Sequence, residues 1–171
     1  MKSRGSRFIH SQSTETRQIP DLLQTIFVAE LAEPSRCLWI VSPWISDIPI
    51  IDNSANAFLM LDPSWARGKI RLSQVLSVLV DRGATVRVVT RPSIPSNQSF
   101  LQRVKGFVHI TETTDLHEKG ILGSQFYLSG SMNFTYLGIT LNEELLHYET
   151  TDEVVAEHII IFTKRWGGPQ Q

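Results

Sequence analysis

The residues best equipped for chemistry lie between positions 117 and 144: His117-Glu118-Lys119, Gly130-Ser131-Met132-Asn133 and Asn142-Glu143-Glu144. His117 and Lys119 are two apart, so on an extended segment both leave the same face; a hairpin then brings back Ser131 and Asn133, again on one face. Gly130 lets the backbone approach whatever is bound there. One nucleophile or proton carrier, one fixed cation and two neutral hydrogen-bond donors converge. That set suits a tetrahedral anion such as phosphate, with Lys119 neutralising charge while Ser131 and Asn133 hold the non-bridging oxygens.

Such side chains need a scaffold, and the hydrophobic pattern supplies one. Leu22, Leu23, Ile26, Phe27 and Leu31 recur at helical spacing behind Pro20, and that helix must stop before Pro34. Cys37 to Val41 is a continuous apolar run bounded by Ser42-Pro43, as in a strand buried on both faces. Asp47 to Arg67 reads as a long excursion from the sheet. Leu72, Val75, Leu76, Val78 and Leu79 form an amphipathic helix closed by Gly83, and Thr85 to Thr90 is a β-branched strand. Helix, glycine, strand is the grammar of an α/β unit. A short helix to Lys105, strands at 108–111, 120–122, 126–128 and 145–148, and a final helix capped at Thr151 or Asp152 complete the reading. The fold class is therefore α/β: a mixed, largely parallel β-sheet flanked by helices on both faces.

The 171 residues suffice for one domain, and 42% hydrophobic with 19% charged is a globular balance. Residues 1–18 are polar and aperiodic, an arm with one short ordered piece around Phe8-Ile9, which leaves 19–171 as a single domain. The 16 basic and 17 acidic residues give a net charge of -1, so any anionic ligand must be held by a local cluster. The single Cys37 excludes an internal disulfide framework and a multi-cysteine zinc site. No apolar stretch approaches the ~18 residues of a membrane span, and a polar run from His10 to Gln18 stands where a signal peptide needs apolar residues. A cytoplasmic location is the expectation.

His117-x-Lys119 followed by Gly130-Ser131-x-Asn133 resembles the HKD signature of the phospholipase D superfamily. Ser42-Pro43-Trp44 after a buried strand, Arg82-Gly83-x-x-Val86-x-Val88, Phe134-Thr135, and Glu144 where the family hydrogen-bonds its histidine extend the likeness over most of the chain. Two features depart from it. Ser124 stands at the motif's aspartate, a mainly structural position, with only Gln125 to Ser129 before Gly130; and a single motif is present where paired-motif enzymes carry two.

Displacement at phosphorus needs a nucleophile on one side and a proton donor on the other. His10, His109, His147 and His158 all lack an x-Lys partner. A twofold dimer answers this by bringing two copies of His117 to one site. The resemblance implies the same arrangement: one His117 forms a phosphohistidine, the other protonates the leaving group and later activates water, Glu144 holds the imidazole, and no metal or other cofactor takes part. Its small single-motif members imply a nucleic-acid phosphodiesterase, with a fainter likeness to proteins of bacterial DNA-modification or defence systems, where another subunit supplies targeting. Two alternatives stand beside it: a lipid phosphodiesterase, for which Ala57-Phe58-Leu59-Met60-Leu61 is the one apolar loop, and an inactive phosphate- or nucleic-acid-binding module, with Ser124 as its symptom. Trp39 and Phe126 read as core, as do Trp44 and Trp65. Arg67, Lys69 and Arg71, and likewise Arg87 and Arg91, read as anion-binding strips or solvated surface. His147 and His158 read as structural or surface residues.

Overall fold

The computed structural model describes residues 5–11 and 17–170. Nine strands and five helices follow in chain order: β1 (Ser6–His10), α1 (Gln18–Ala32), β2 (Cys37–Val41), β3 (Pro49–Asp52), β4 (Lys69–Arg71), α2 (Leu72–Asp81), β5 (Thr85–Thr90), α3 (Pro95–Val104), β6 (His109–Glu112), β7 (Gly120–Leu122), β8 (Tyr127–Gly130), α4 (Tyr136–Thr140), β9 (Leu145–Glu149) and α5 (Asp152–Trp166). Seven strands form one sheet in the order β1-β9-β8-β7-β2-β5-β6. Only β2-β5 and β5-β6 pair in parallel, yet five of the seven strands run one way. The reversed strands, β7 and β9, are interleaved among the others, which makes their pairings antiparallel. The sheet is mixed and largely parallel in strand direction.

All five residues of β2 are buried because the sheet is covered on both faces. Leu38 and Ile40 face a core shared with α1, α2 and α3, where Phe27, Leu76 and Phe100 are fully enclosed. Cys37, Trp39 and Val41 face the opposite way, against Val155, Phe162 and Trp166 of α5. Trp39 also donates its indole N–H to the Gly167 carbonyl at 2.9 Å, tying the chain's end to the central strand. Burial at this face pushes the Cys37 thiol up to about 12, so it is a packing group and not a nucleophile.

Of the expected polar arm, residues 1–4 and 12–16 lie outside the described residues; its ordered piece around Phe8-Ile9 is the strand Ser6–His10, which pairs antiparallel with β9, and Phe8 stacks on His147 with ring centroids 4.6 Å apart. A strand whose outward residues are mostly polar carries no hydrophobic period, so the pairing comes from its neighbour. The excursion after Asp47 returns as a two-stranded ribbon of β3 and β4, whose loop is organised by buried Asn53. The Asn53 carboxamide donates to the Ala66 carbonyl at 3.3 Å and accepts from the Phe58 amide at 3.0 Å. Helix α4 has only five residues and follows Thr135, whose hydroxyl caps it by accepting from the Gly138 amide at 3.2 Å.

Candidate active site

The strand order gathers the chemistry at one end of the sheet. In register, Val41 lies beside both Gly120 and Val89, Gly120 beside Ser129, and Gly130 beside Leu146. The segments that continue from these strands meet at the carboxyl ends of β2, β5 and β8 and the amino ends of β7 and β9: Ser42 to Trp44, Arg91, His117 to Lys119, Ser131 to Asn133, and Glu144. Ligands of open α/β sheets bind at such carboxyl ends.

The four residues singled out by their spacing, and Glu144 singled out by the resemblance, are all at this end. His117 is exposed and Lys119 half-buried, with the Lys119 ammonium donating to the His117 carbonyl at 2.9 Å. The Gly130 amide donates to the Lys119 carbonyl at 3.3 Å and closes the hairpin. Gly130 has φ 151°, and a Cβ there would sit 2.2 Å from the Leu145 carbonyl oxygen, so β8 and β9 approach only because this residue lacks one. Asn133 is gripped in the same way: a Cβ on Gly138 would meet its carbonyl at 2.2 Å.

Glu144 differs from the expectation. It is buried, and its carboxylate accepts from the Ser131 hydroxyl and, at 3.3 Å, from the Asn142 amide, not from His117. A hydroxyl has a single hydrogen. Ser131 commits it to Glu144 while accepting from the Leu145 amide at 3.1 Å, so in this arrangement it has none to offer a phosphate oxygen. The donors left facing outward are those of Lys119 and the Asn133 amide nitrogen, which has no partner among the described residues.

His117 instead meets Arg91. One terminal guanidinium nitrogen lies 3.2 Å from both ring nitrogens. Those nitrogens flank a single carbon, so an atom equally close to both cannot lie in the ring plane without pressing on that carbon; the guanidinium therefore sits over the ring face. Its Nε donates to the Leu116 carbonyl at 2.8 Å, and its Cζ lies 5.4 Å from the centre of the Trp44 ring. Trp65 packs as expected, whereas Trp44 is 39% exposed at this edge.

Buried polar groups hold the Ser42–Ile45 turn. Ser42, fully buried, donates to the Trp44 carbonyl at 2.7 Å and accepts the Phe134 amide at 3.1 Å. Asn97, also fully buried, donates to the Pro43 carbonyl at 3.0 Å and to the Thr90 hydroxyl at 2.8 Å, and accepts the Ile45 amide at 2.9 Å. The turn that carries Trp44 is thus pinned to β5, α3 and the Asn133 segment at once. No periodic signal marks Asn97 or Thr90 in the sequence.

Three of the other basic residues, Arg87, Lys69 and Arg71, have structural partners. Arg87 donates to the Gly168 carbonyl at 2.8 Å and the Trp166 carbonyl at 3.2 Å; Lys69 pairs with Asp52 at 2.6 Å; Arg71 donates to the Asp47 carbonyl. A groove of about 480 Å³ opens beside His117, walled by Asp115, Leu116, Glu118, Arg165 and Trp166. There Glu118 pairs with Arg165 at 2.7 Å and accepts the Tyr127 hydroxyl at 3.3 Å; burial and this carboxylate push Tyr127 well above its ordinary range, so it stays a donor. Ser124 lies at the opposite end of β7, its amide donating to the Ser35 hydroxyl at 2.7 Å, which in turn donates to buried Glu30 at 2.8 Å. The motif's aspartate position therefore lies at the end of β7 away from His117. Ser6, His147 and Glu149 also meet, but hydroxyl and carboxylate both address the same nitrogen of His147, which is not a proton relay. His158 Nδ1 donates within α5, to the Val154 carbonyl at 2.8 Å.

No family model matches the chain, and no curated protein does. Solved structures do. NucT from Helicobacter pylori superposes with a TM-score of 0.62 at 13% identity, over 94% of both chains. Nuc from Salmonella typhimurium, a phospholipase D family member, gives 0.63 at 12% identity, over 98% of this chain and 97% of its own. The chain has the phospholipase D fold. The polyphosphate kinase from Porphyromonas gingivalis carries the same fold within a longer chain, with a TM-score of 0.61 at 13% identity over 97% of this chain and 26% of the kinase. A phospholipase D-like fold thus hosts different phosphoryl chemistries, and the choice among them rests on the site. No described helix is long and apolar enough to cross a membrane.

Proposed function

We propose that this chain is a phosphodiesterase that hydrolyses nucleic-acid phosphodiester bonds at a site shared between two copies. The observation that carries the reading is the meeting, at the carboxyl ends of the strands, of one exposed imidazole with Lys119, Asn133 and Arg91. A nitrogen of His117 attacks phosphorus, and the bond to the leaving oxygen breaks as the partner's His117 gives that oxygen a proton. Water, deprotonated by the same partner imidazole, then attacks the phosphohistidine; the P–N bond breaks and both rings return to their starting states. General acid–base transfer of this kind contributes ~10²–10⁴ in rate. Lys119 neutralises the phosphate, Asn133 donates to it, and Glu144 orients Ser131 beneath it.

The exposed side chains of Tyr136, Leu137, Leu141 and Leu145, on α4 and the start of β9 beside Ser131 and Glu144, support the dimer. Exposed apolar side chains next to a half-site are what a second copy covers. A nucleic-acid substrate is favoured over a lipid because Phe58 and Leu61 of the apolar loop pack onto the core and Leu59 is half-buried, leaving Met60 as its large exposed apolar side chain. With a net charge of -1, long-range attraction to DNA is weak, and a targeting subunit of a modification or defence system fits that balance. Cationic side chains neutralise the phosphate here, and the reaction proceeds without metal.

The test is digestion of single- and double-stranded DNA and RNA with EDTA present, by the wild type and by His117→Ala, with the oligomeric state measured at the same concentration. Hydrolysis by a dimer that survives EDTA and vanishes in His117→Ala is the expected result. Loss of activity in EDTA, or full activity of a monomer, overturns it.

A further inference from the structure

Arg91 is not part of the motif, yet its guanidinium lies against the His117 ring. One terminal nitrogen of its guanidinium is over the ring face at 3.2 Å, its Nε is anchored to the Leu116 carbonyl, and its Cζ lies 5.4 Å from the centre of the Trp44 ring. The remaining terminal nitrogen has no partner among the described residues. A phosphorus bonded to an imidazole nitrogen brings its non-bridging oxygens within hydrogen-bond distance of whatever lies that close to the ring. A guanidinium there is already in place to receive them, and its planar fork matches two oxygens of one phosphate.

We propose that Arg91 is the second cation of the site, donating to the non-bridging oxygens of the reacting phosphate in the place that Ser131, tied to Glu144, does not fill. Without substrate it covers the face of the nucleophile; with substrate it transfers to the phosphate. Trp44 acts through it as a positioning residue, held by the buried Ser42 and Asn97 bonds that pin its turn. The inference rests on the phosphodiesterase reading for the reaction, and on the anion-binding geometry alone for the binding.

Steady-state hydrolysis of bis(4-nitrophenyl) phosphate and calorimetric binding of inorganic phosphate test it, on the full chain, for the wild type, Arg91→Ala, Arg91→Lys, Trp44→Ala and the double variant. Removing one donor to a developing oxyanion costs ~10²–10³, so Arg91→Ala should lower kcat/KM by about that factor, mostly in kcat, because the oxygens gain charge in the transition state. Lysine, which cannot fork or stack, should remain at least about tenfold below the wild type. Trp44→Ala should reduce activity in the wild-type background and add nothing to Arg91→Ala, as in any pair acting as one unit. Phosphate affinity should fall about tenfold or more in Arg91→Ala.

Because Arg91 also holds the Leu116 carbonyl, guanidinium ion is added to Arg91→Ala. Recovery of activity marks a lost charge. A loss that guanidinium does not restore, accompanied by a lower Tm, marks a structural role and overturns the proposal. If Arg91→Ala stays within about twofold of the wild type in kcat/KM and phosphate affinity while His117→Ala is inactive, Arg91 is excluded and the phosphodiesterase stands. If the wild type hydrolyses no diester, the phosphodiesterase reading fails, and phosphate binding alone decides Arg91: equal affinity in both proteins excludes it.

Discussion

Ser42→Ala isolates the group that joins the scaffold to the chemistry. Its hydroxyl is fully buried, donates to the Trp44 carbonyl at 2.7 Å and accepts the Phe134 amide at 3.1 Å. Alanine removes the hydroxyl and leaves both backbone groups without a partner in an enclosed site. A buried donor or acceptor left unsatisfied costs ~1–3 kcal/mol. Two such groups, with some relaxation of the turn, amount to about 2–4 kcal/mol. For a domain of this size each kcal/mol moves Tm by about 2–4 °C, so a drop of about 5–15 °C follows. Urea denaturation monitored by tryptophan fluorescence should show the midpoint shifted by about 1–2 M with an unchanged slope. The Phe134 amide is adjacent to Asn133, so kcat should fall as well in molecules that remain folded. Ser99→Ala on the exposed face of α3 is the control and should stay within about 0.5 kcal/mol. A Ser42→Ala protein as stable as that control would refute the reasoning, since it would mean neither backbone group depends on the hydroxyl.

Gly130→Ala should lower activity more than stability: its Cβ would meet the Leu145 carbonyl at 2.2 Å, forcing apart the strands that carry Ser131 and Glu144, and activity assays beside thermal melts read both effects. Glu30 should make stability pH-dependent. Burial raises its carboxyl above the ordinary value in the folded chain, against the opposing Ser35 bonds, so its stabilising contribution is full below the ordinary carboxylate range and falls as pH rises through the raised folded value. Urea midpoints measured across pH should lose that decline in Glu30→Gln. Ser124→Ala should leave both stability and hydrolysis unchanged, because only its backbone amide is engaged; a tenfold loss of hydrolysis would place the motif's aspartate position inside the chemistry after all.

The sequence by itself determined the elements whose burial is encoded locally. Cys37–Val41 reads as a two-faced strand because every residue in it is apolar, and Leu72–Asp81 as a helix because its apolar positions recur at the helical period. His117, Lys119, Ser131 and Asn133 were legible as one site because a hairpin of fixed side-chain alternation joins them. Tertiary structure alone decided the rest. Ser6–His10 is a strand because β9 offers it an edge, and α4 is too short to show a period. Arg91 reaches His117 only because β2 is inserted between β5 and β7 and all three end at the same level, an arrangement made by long-range pairing that no local pattern carries. The same pairing sets Ser131 against Glu144 rather than against a ligand. Residue spacing names the groups that can act; sheet order assigns their partners, because hydrogen bonds are made between neighbours in space whatever their distance along the chain.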